Sequence, residues 1–181
     1  MHLWTAVDLT GKLDGIRKKA LWENQQIGLT EVAFTLPAHV SLKISFSLPD
    51  EICPQAIGEA AEIFRACPAF EIGVKGLDRT PSILWIAMEE NDPLRALHER
   101  MVALAEKCGA APHPFDRQFF YHSTLFLSDD QERLSRMEEA LRDIPLPEKI
   151  TADAFLIGGS ETGKPGEYRV FHRIPALPNL K

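Results

Sequence analysis

The clearest alternation in the chain runs from His39 to Phe46. Val40, Leu42, Ile44 and Phe46 share one parity, and His39, Ser41, Lys43 and Ser45 share the other. Side chains of a strand alternate between faces, so this pattern predicts a half-buried strand with one polar face. The run Phe119 to Leu127 predicts a second, with Phe120, His122, Thr124 and Phe126 on one side and Tyr121, Ser123, Leu125 and Leu127 on the other. Further strands are expected over Leu3 to Leu9, Phe70 to Val74, Ile83 to Met88, Lys149 to Ile157 and Tyr168 to Ile174. Helical spacing appears in Leu13 to Gln26, where Leu13, Ile16, Ala20 and Leu21 recur, and in Ala56 to Ala66, closed by Pro68. A third helix is expected over Leu94 to Cys108, with Asp92 as N-cap and Gly109 as its stop. A fourth starts at Asp129-Asp130 and reaches about Asp143.

Strands and helices are mixed without a strict β-α-β-α alternation of long apolar strands. That order predicts an α+β fold with antiparallel sheets and outer helices. Each half holds a motif strand, then a helix, then a strand pair, and no linker-like stretch divides them. The expectation is a single domain over 1–181, bilobal, in which two pseudo-symmetric, interleaved lobes share a central cleft.

Composition narrows the partners. The chain has 181 residues, 45% apolar and 25% charged, enough for a packed core. Its net charge of −6 argues against an extended nucleic-acid surface, where neutralised phosphates dominate affinity. A small nucleotide or an RNA terminus, held by a local positive patch, remains compatible. Cys53, Cys67 and Cys108 are odd in number and form no C-x-x-C pair, so reduced thiols are expected. No apolar run approaches the ~20 residues of a spanning helix. Met1-His2-Leu3-Trp4 lacks the layout of a signal peptide. These readings predict a cytoplasmic protein with no membrane partner.

The chemistry concentrates in His39-Val40-Ser41-Leu42 and His122-Ser123-Thr124-Leu125, two copies of His-x-Ser/Thr-apolar starting 83 positions apart. A single copy arises often by chance and reads as a structural histidine. Two copies, both on strands, with His and hydroxyl on one side in each, point to two half-sites meeting in a cleft. Histidine titrates near neutrality, so one imidazole can take a proton while the other gives one. Ser41 and Thr124 would point with their histidines, where hydroxyls can donate to non-bridging phosphate oxygens. The scheme needs no metal or other cofactor.

On these motifs the chain resembles the 2H phosphoesterase superfamily, in particular its bacterial 2'-5' RNA ligase-like (LigT-like) branch. Leu3 to Leu9 is similar to that family's first strand, Ile83 to Met88 to the strand between the motifs, and Tyr168 to Pro175 to the closing strand. The resemblance implies a bilobal α+β fold with the site between the lobes. It implies action on a 2',3'-cyclic phosphate or a 2'-5' phosphodiester of RNA ends or small nucleotides. His39 and His122 would be catalytic, and Ser41 and Thr124 would bind phosphate. The family's second motif is usually preceded by Pro and followed by Ala-Arg, whereas here Tyr121 precedes it and Phe126-Leu127 follow. Lys43 is a stand-in for the missing cation, and Tyr121 and Tyr168 are further candidates for substrate contact. The alternatives are a binding cleft for a nucleotide or RNA end without turnover, and a hydrolase of a non-RNA cyclic phosphate such as an ADP-ribose cyclic phosphate.

Other features weigh less. Gly158 to Lys164 reads G-x-x-x-x-G-K, but Pro165 follows where a P-loop has Ser or Thr, so a turn is expected. His98 is expected at the edge of a buried helix face and His172 in a structural role. Arg169 and Arg173 share one side of the last strand and are expected to be solvated.

Overall fold

The computed structural model describes residues 1–27 and 32–178. Its elements are β1 (His2–Asp8), α1 (Asp14–Ile27), β2 (His39–Ser47), α2 (Cys53–Arg65), β3 (Phe70–Arg79), β4 (Ile83–Met88), α3 (Asp92–Lys107), β5 (His122–Leu127), α4 (Gln131–Leu141), β6 (Lys149–Ala152), β7 (Ala154–Ser160) and β8 (Arg169–Pro175). The strands form two antiparallel four-stranded sheets, ordered β2-β1-β7-β8 and β5-β4-β3-β6. The α+β reading holds, and the sheets correspond strand for strand, with β2 matching β5 and β1 matching β4. Both motif strands are edge strands, and they lie against each other where the sheets meet.

The run Lys149 to Ile157, expected as one strand, is two. Asp153 alone separates β6 in the second sheet from β7 in the first. Lys12 fixes this crossing by donating to Thr151 O and Asp153 Oδ1, each at 2.6 Å. The N-cap of α3 is Asn91, whose Oδ1 accepts the Leu94 amide at 2.9 Å, and not Asp92. Asp130 caps α4 as the sequence indicates. The helices cover the sheets from outside. One large cluster joins Val40, Leu42, Phe64, Leu84, Leu94, Leu125, Leu134 and Phe155 across both lobes.

A bulge follows the hydroxyl residue in each motif strand. In β2, Ser41 pairs with Ala6 and Lys43 with Thr5, which leaves Leu42 as an extra residue. In β5, Thr124 pairs with Trp85 and Phe126 with Leu84, which leaves Leu125 as the extra one. An extra residue reverses the parity of everything after it. Lys43 and Phe126, expected on the polar side, therefore turn into the core, where Lys43 is 1% and Phe126 2% exposed.

The bulge also frees a carbonyl. His98 of α3 takes it, with Nδ1 2.7 Å from Leu42 O, while Nε2 lies 3.1 Å from Asp116 O. Lys43 donates to both carboxylate oxygens of Asp116, at 2.7 and 3.0 Å. Burial pushes the Asp116 carboxyl up, but hydrogen bonds from Lys43 and the His113 amide, with the Lys43 charge, outweigh it and hold it below the usual range. Asp116 belongs to the segment leading to β5, so the pair ties the two motif strands together. Breaking it strands a buried ammonium. Asp116→Ala is expected to cost about 3–5 kcal/mol of stability. Lys43→Met with Asp116→Leu is expected to recover most of it, as read by denaturant melts; an Asp116→Ala variant as stable as the parent would refute this account.

Candidate active site

His39 and His122 are each the first residue of their strand. His39 Nδ1 lies 2.8 Å from Pro37 O, and His122 Nδ1 lies 2.7 Å from Phe120 O. In both motifs the carbonyl two residues upstream claims the Nδ1 proton, since a carbonyl only accepts. Neither Nε2 has a protein partner among the described residues. Each ring also leans on a tryptophan of the neighbouring strand. Trp4 and His39 have centroids 5.0 Å apart at 43°, and Trp85 and His122 have centroids 5.0 Å apart at 42°. The two half-sites thus repeat in orientation, tautomer and support.

Cross-strand pairing shows what shares the His39 face. His39 pairs with Asp8, Ser41 with Ala6, and Ala6 in turn with Leu156. Trp4, Ala6 and Leu156 form a small apolar floor, with Leu36, Tyr168 and Val170 packed around it. Gly158 is required there: a Cβ would stand 2.6 Å from Trp4 Nε1 and 2.3 Å from Arg169 O. This accounts for the first glycine of G-x-x-x-x-G-K. The string runs from β7 into a turn before β8, not into a helix, so it builds no phosphate loop.

Ser41 and Thr124 are half-buried, and among the described residues neither hydroxyl has a protein partner. Tyr168 lies beside the floor, and its hydroxyl bonds Ser45 Oγ at 2.5 Å. Two expected substrate contacts are corrected. Lys43 is turned into the core by the bulge and spent on Asp116. Tyr121 is 6% exposed and packs against His98 and Phe119, and burial pushes its hydroxyl up to about 12. The neighbour Phe120 is the exposed one, at 71%.

Residues that the sequence reading left aside also line this face. Asp8 is buried and accepts from the Thr10 amide and hydroxyl at Oδ1 and from Arg173 Nε at Oδ2, the last at 2.5 Å. Arg173, expected to be solvated, is therefore ion-paired. Counting the parity of β1 puts Trp4, Ala6 and Asp8 on one side, which was the available signal for the first and last of these. Cys53, Cys67 and Cys108 are free thiols. Among the described residues no cluster of three His, Cys, Asp or Glu has the arrangement of a metal site, and no helix is long and apolar enough to cross a membrane.

Burial is the first cause holding the His39 imidazole below its ordinary value. The Pro37 carbonyl opposes it, the charges of Arg17 and His122 add to it, and Asp8 opposes it. The two rings are thus near enough for protonation of one to disfavour protonation of the other. Burial likewise lowers His122, against the pull of the Phe120 carbonyl.

The 2'-5' RNA ligase superfamily profile matches residues 20–160. The chain belongs to the 2'-5' RNA ligase superfamily. Among solved structures, a Thermus thermophilus protein is similar at 18% identity and a TM-score of 0.65, covering 99% of this chain and 100% of that one. Escherichia coli LigT complexed with 3'-AMP is similar at 17% identity and a TM-score of 0.64, covering 97% and 98%. LigT complexed with NADP+ gives 18% and 0.62, covering 97% of each. No curated protein matches the chain. The superfamily match covers most of the chain and both motifs, and supports a LigT-like 2H phosphoesterase.

The histidine environment has a consequence for folding. Rings whose folded pKa is depressed bind fewer protons than in the unfolded chain. Their contribution to stability is therefore full above about 6.5, the unfolded value, and is lost as pH falls from there towards the folded values. His39→Ala and His122→Ala are each expected to make stability less steep between pH 7 and pH 5, measured by urea melts. Slopes equal to the parent's in both variants would contradict the buried, neutral rings.

Proposed function

We propose that this phosphoesterase acts on a 2',3'-cyclic phosphate or a 2'-5' phosphodiester of an RNA end or small nucleotide, by acid–base catalysis between His39 and His122. The observation that carries this reading is the repeated half-site: two Nδ1-anchored imidazoles with unpartnered Nε2 atoms, and two unpartnered hydroxyls on the same strands. In hydrolysis of a cyclic phosphate, one neutral ring accepts a proton from water as its oxygen bonds to phosphorus. The P–O bond to the ribose 2' or 3' oxygen breaks, and the other ring, protonated, delivers a proton to that oxygen. Ser41 and Thr124 donate to the non-bridging oxygens, whose charge grows in the transition state. The reverse sequence, with a ribose hydroxyl as attacking group, makes a 2'-5' link.

Phe120 takes the role first considered for Tyr121. Its exposed ring follows Phe119 and stands two residues before His122, within reach of a base whose phosphate lies at the histidine, and aromatic faces accept any nucleobase. The nucleotides in the LigT structures, 3'-AMP, ATP and NADP+, support a ligand of this class. The competing readings, a binding cleft without turnover and a hydrolase of an ADP-ribose cyclic phosphate, separate in one experiment. Purified protein is incubated with the four 2',3'-cyclic nucleotides, a cyclic-phosphate-ended RNA and an ADP-ribose cyclic phosphate.

Turnover is expected on a nucleotide or RNA substrate, and His39→Ala and His122→Ala are each expected to lower the rate by at least ~10²-fold. Undiminished activity in either variant would sink the mechanism. Phe120→Ala is expected to raise KM about tenfold with kcat little changed, in line with the loss of one stacked base. A KM that stays put would remove Phe120 from the site.

A further inference from the structure

Arg17 lies in the first turn of α1, with a half-buried guanidinium. Its Nη2 donates to Leu36 O at 3.0 Å, and the guanidinium carbon stands 5.2 Å from the centre of the Phe34 ring. Asp14, the acidic residue three positions earlier, pairs instead with Lys18, at 3.6 Å. Among the described residues no carboxylate is ion-paired with Arg17. A guanidinium carries five N–H donors, so the protein satisfies one and leaves the rest. Burial disfavours its charge, and only the field of Asp14 opposes this. A half-buried cation without a counter-ion is costly to keep.

Its place explains why it is kept. Leu36, which it holds, packs on the Trp4–Ala6–Leu156 floor. The next residue, Pro37, presents the carbonyl that orients His39. The charge of Arg17 reaches the His39 ring. The other cations weighed for this cleft are committed: Arg173 to Asp8 and Lys43 to Asp116. Arg17 differs from both in having no acidic partner.

We propose that Arg17 is the phosphate-binding cation of the cleft, offering its free N–H groups to non-bridging oxygens of a phosphodiester or phosphomonoester held at His39. The planar fork of a guanidinium matches two such oxygens at once. Phe34 and Leu36 hold it ready, so little side-chain entropy is lost on binding. The inference rests on the phosphoesterase reading only for where the phosphate sits.

The test separates phosphate binding from turnover. Inorganic phosphate, adenosine 2'-monophosphate and adenosine are titrated calorimetrically into the full chain and into Arg17→Gln and Arg17→Lys, and steady-state kinetics are run on any substrate that is turned over. Arg17→Gln is expected to weaken both phosphate ligands at least about tenfold, the scale of lost hydrogen bonds to a charged group, and to leave adenosine unchanged. Arg17→Lys, which keeps the charge and loses the fork, is expected to weaken them less, and it carries the test if the glutamine variant does not fold. Where turnover is seen, KM rises more than kcat falls. An arginine that merely braces Leu36 would lower kcat and leave phosphate affinity alone, which would overturn the proposal. So would phosphate affinity that is equal in parent and both variants, or absent from all of them. Arg17-dependent phosphate binding without any turnover would uphold the proposal and remove the catalytic reading. Turnover with Arg17-independent phosphate binding would do the reverse.

Discussion

One extra residue in each motif strand governs the rest of the molecule. Without the bulge at Leu42, strict alternation would carry Lys43 out beside His39 and Ser41, leaving a gap in the core behind them. With it, the strand serves the cleft as far as Ser41 and the interior from Leu42 onward. The bulge at Leu125 does the same for β5, with Phe126 in the place of Lys43. In β5 the buried side chain is apolar and needs nothing more. In β2 it is an ammonium, and its burial demands Asp116, while the carbonyl freed at Leu42 engages His98. The polar knot beneath the first half-site is thus a consequence of one local irregularity, and it connects that half-site to the segment that enters the second.

The two half-sites share their geometry but not their electrostatics. Both imidazoles are anchored at Nδ1 by a carbonyl two residues upstream and braced by a tryptophan. Around His39 stand Arg17 and the Asp8–Arg173 pair; around His122 burial and the Phe120 carbonyl are the named influences. The charged residues of the cleft therefore come mainly from the first lobe. This also reconciles a net charge of −6 with an anionic ligand: what matters at the site is a few oriented cations in a desolvated cleft, not the sum over the surface.

Much of this was legible along the chain, for physical reasons. Period-two alternation located both motif strands because each has one face in a core and one in a cleft. Helix boundaries followed from Pro93, Gly109 and Asp130, whose backbone preferences act locally. Parity fails wherever a bulge intervenes, and no residue in Ser41-Leu42-Lys43 announces one, so Lys43 was assigned to the wrong face. Tyr121 failed for a related reason: it precedes β5 and turns inward to His98, a contact set by the packing of α3. The division at Asp153 was hidden because two short strands that share an apolar pattern read as one. Asp8 with Arg173 and Lys43 with Asp116 join positions 165 and 73 apart, which no local pattern encodes.

The asymmetry of charge bears on how a near-symmetric pair can do an asymmetric job. Acid–base catalysis needs the two rings in opposite protonation states at the same moment. Two identical environments would share a single proton equally and waste half the population. A cation at one ring breaks that tie. With Arg17 near His39, a single proton shared by the pair favours His122, and a phosphate drawn to Arg17 carries its negative charge into the space between the rings. On the proposed reaction this leaves His39 as the proton acceptor in hydrolysis and His122 as the donor to the leaving oxygen. The pseudo-symmetry supplies two equivalent tools, and the residues that break it, on α1 and β1, decide which one holds the proton.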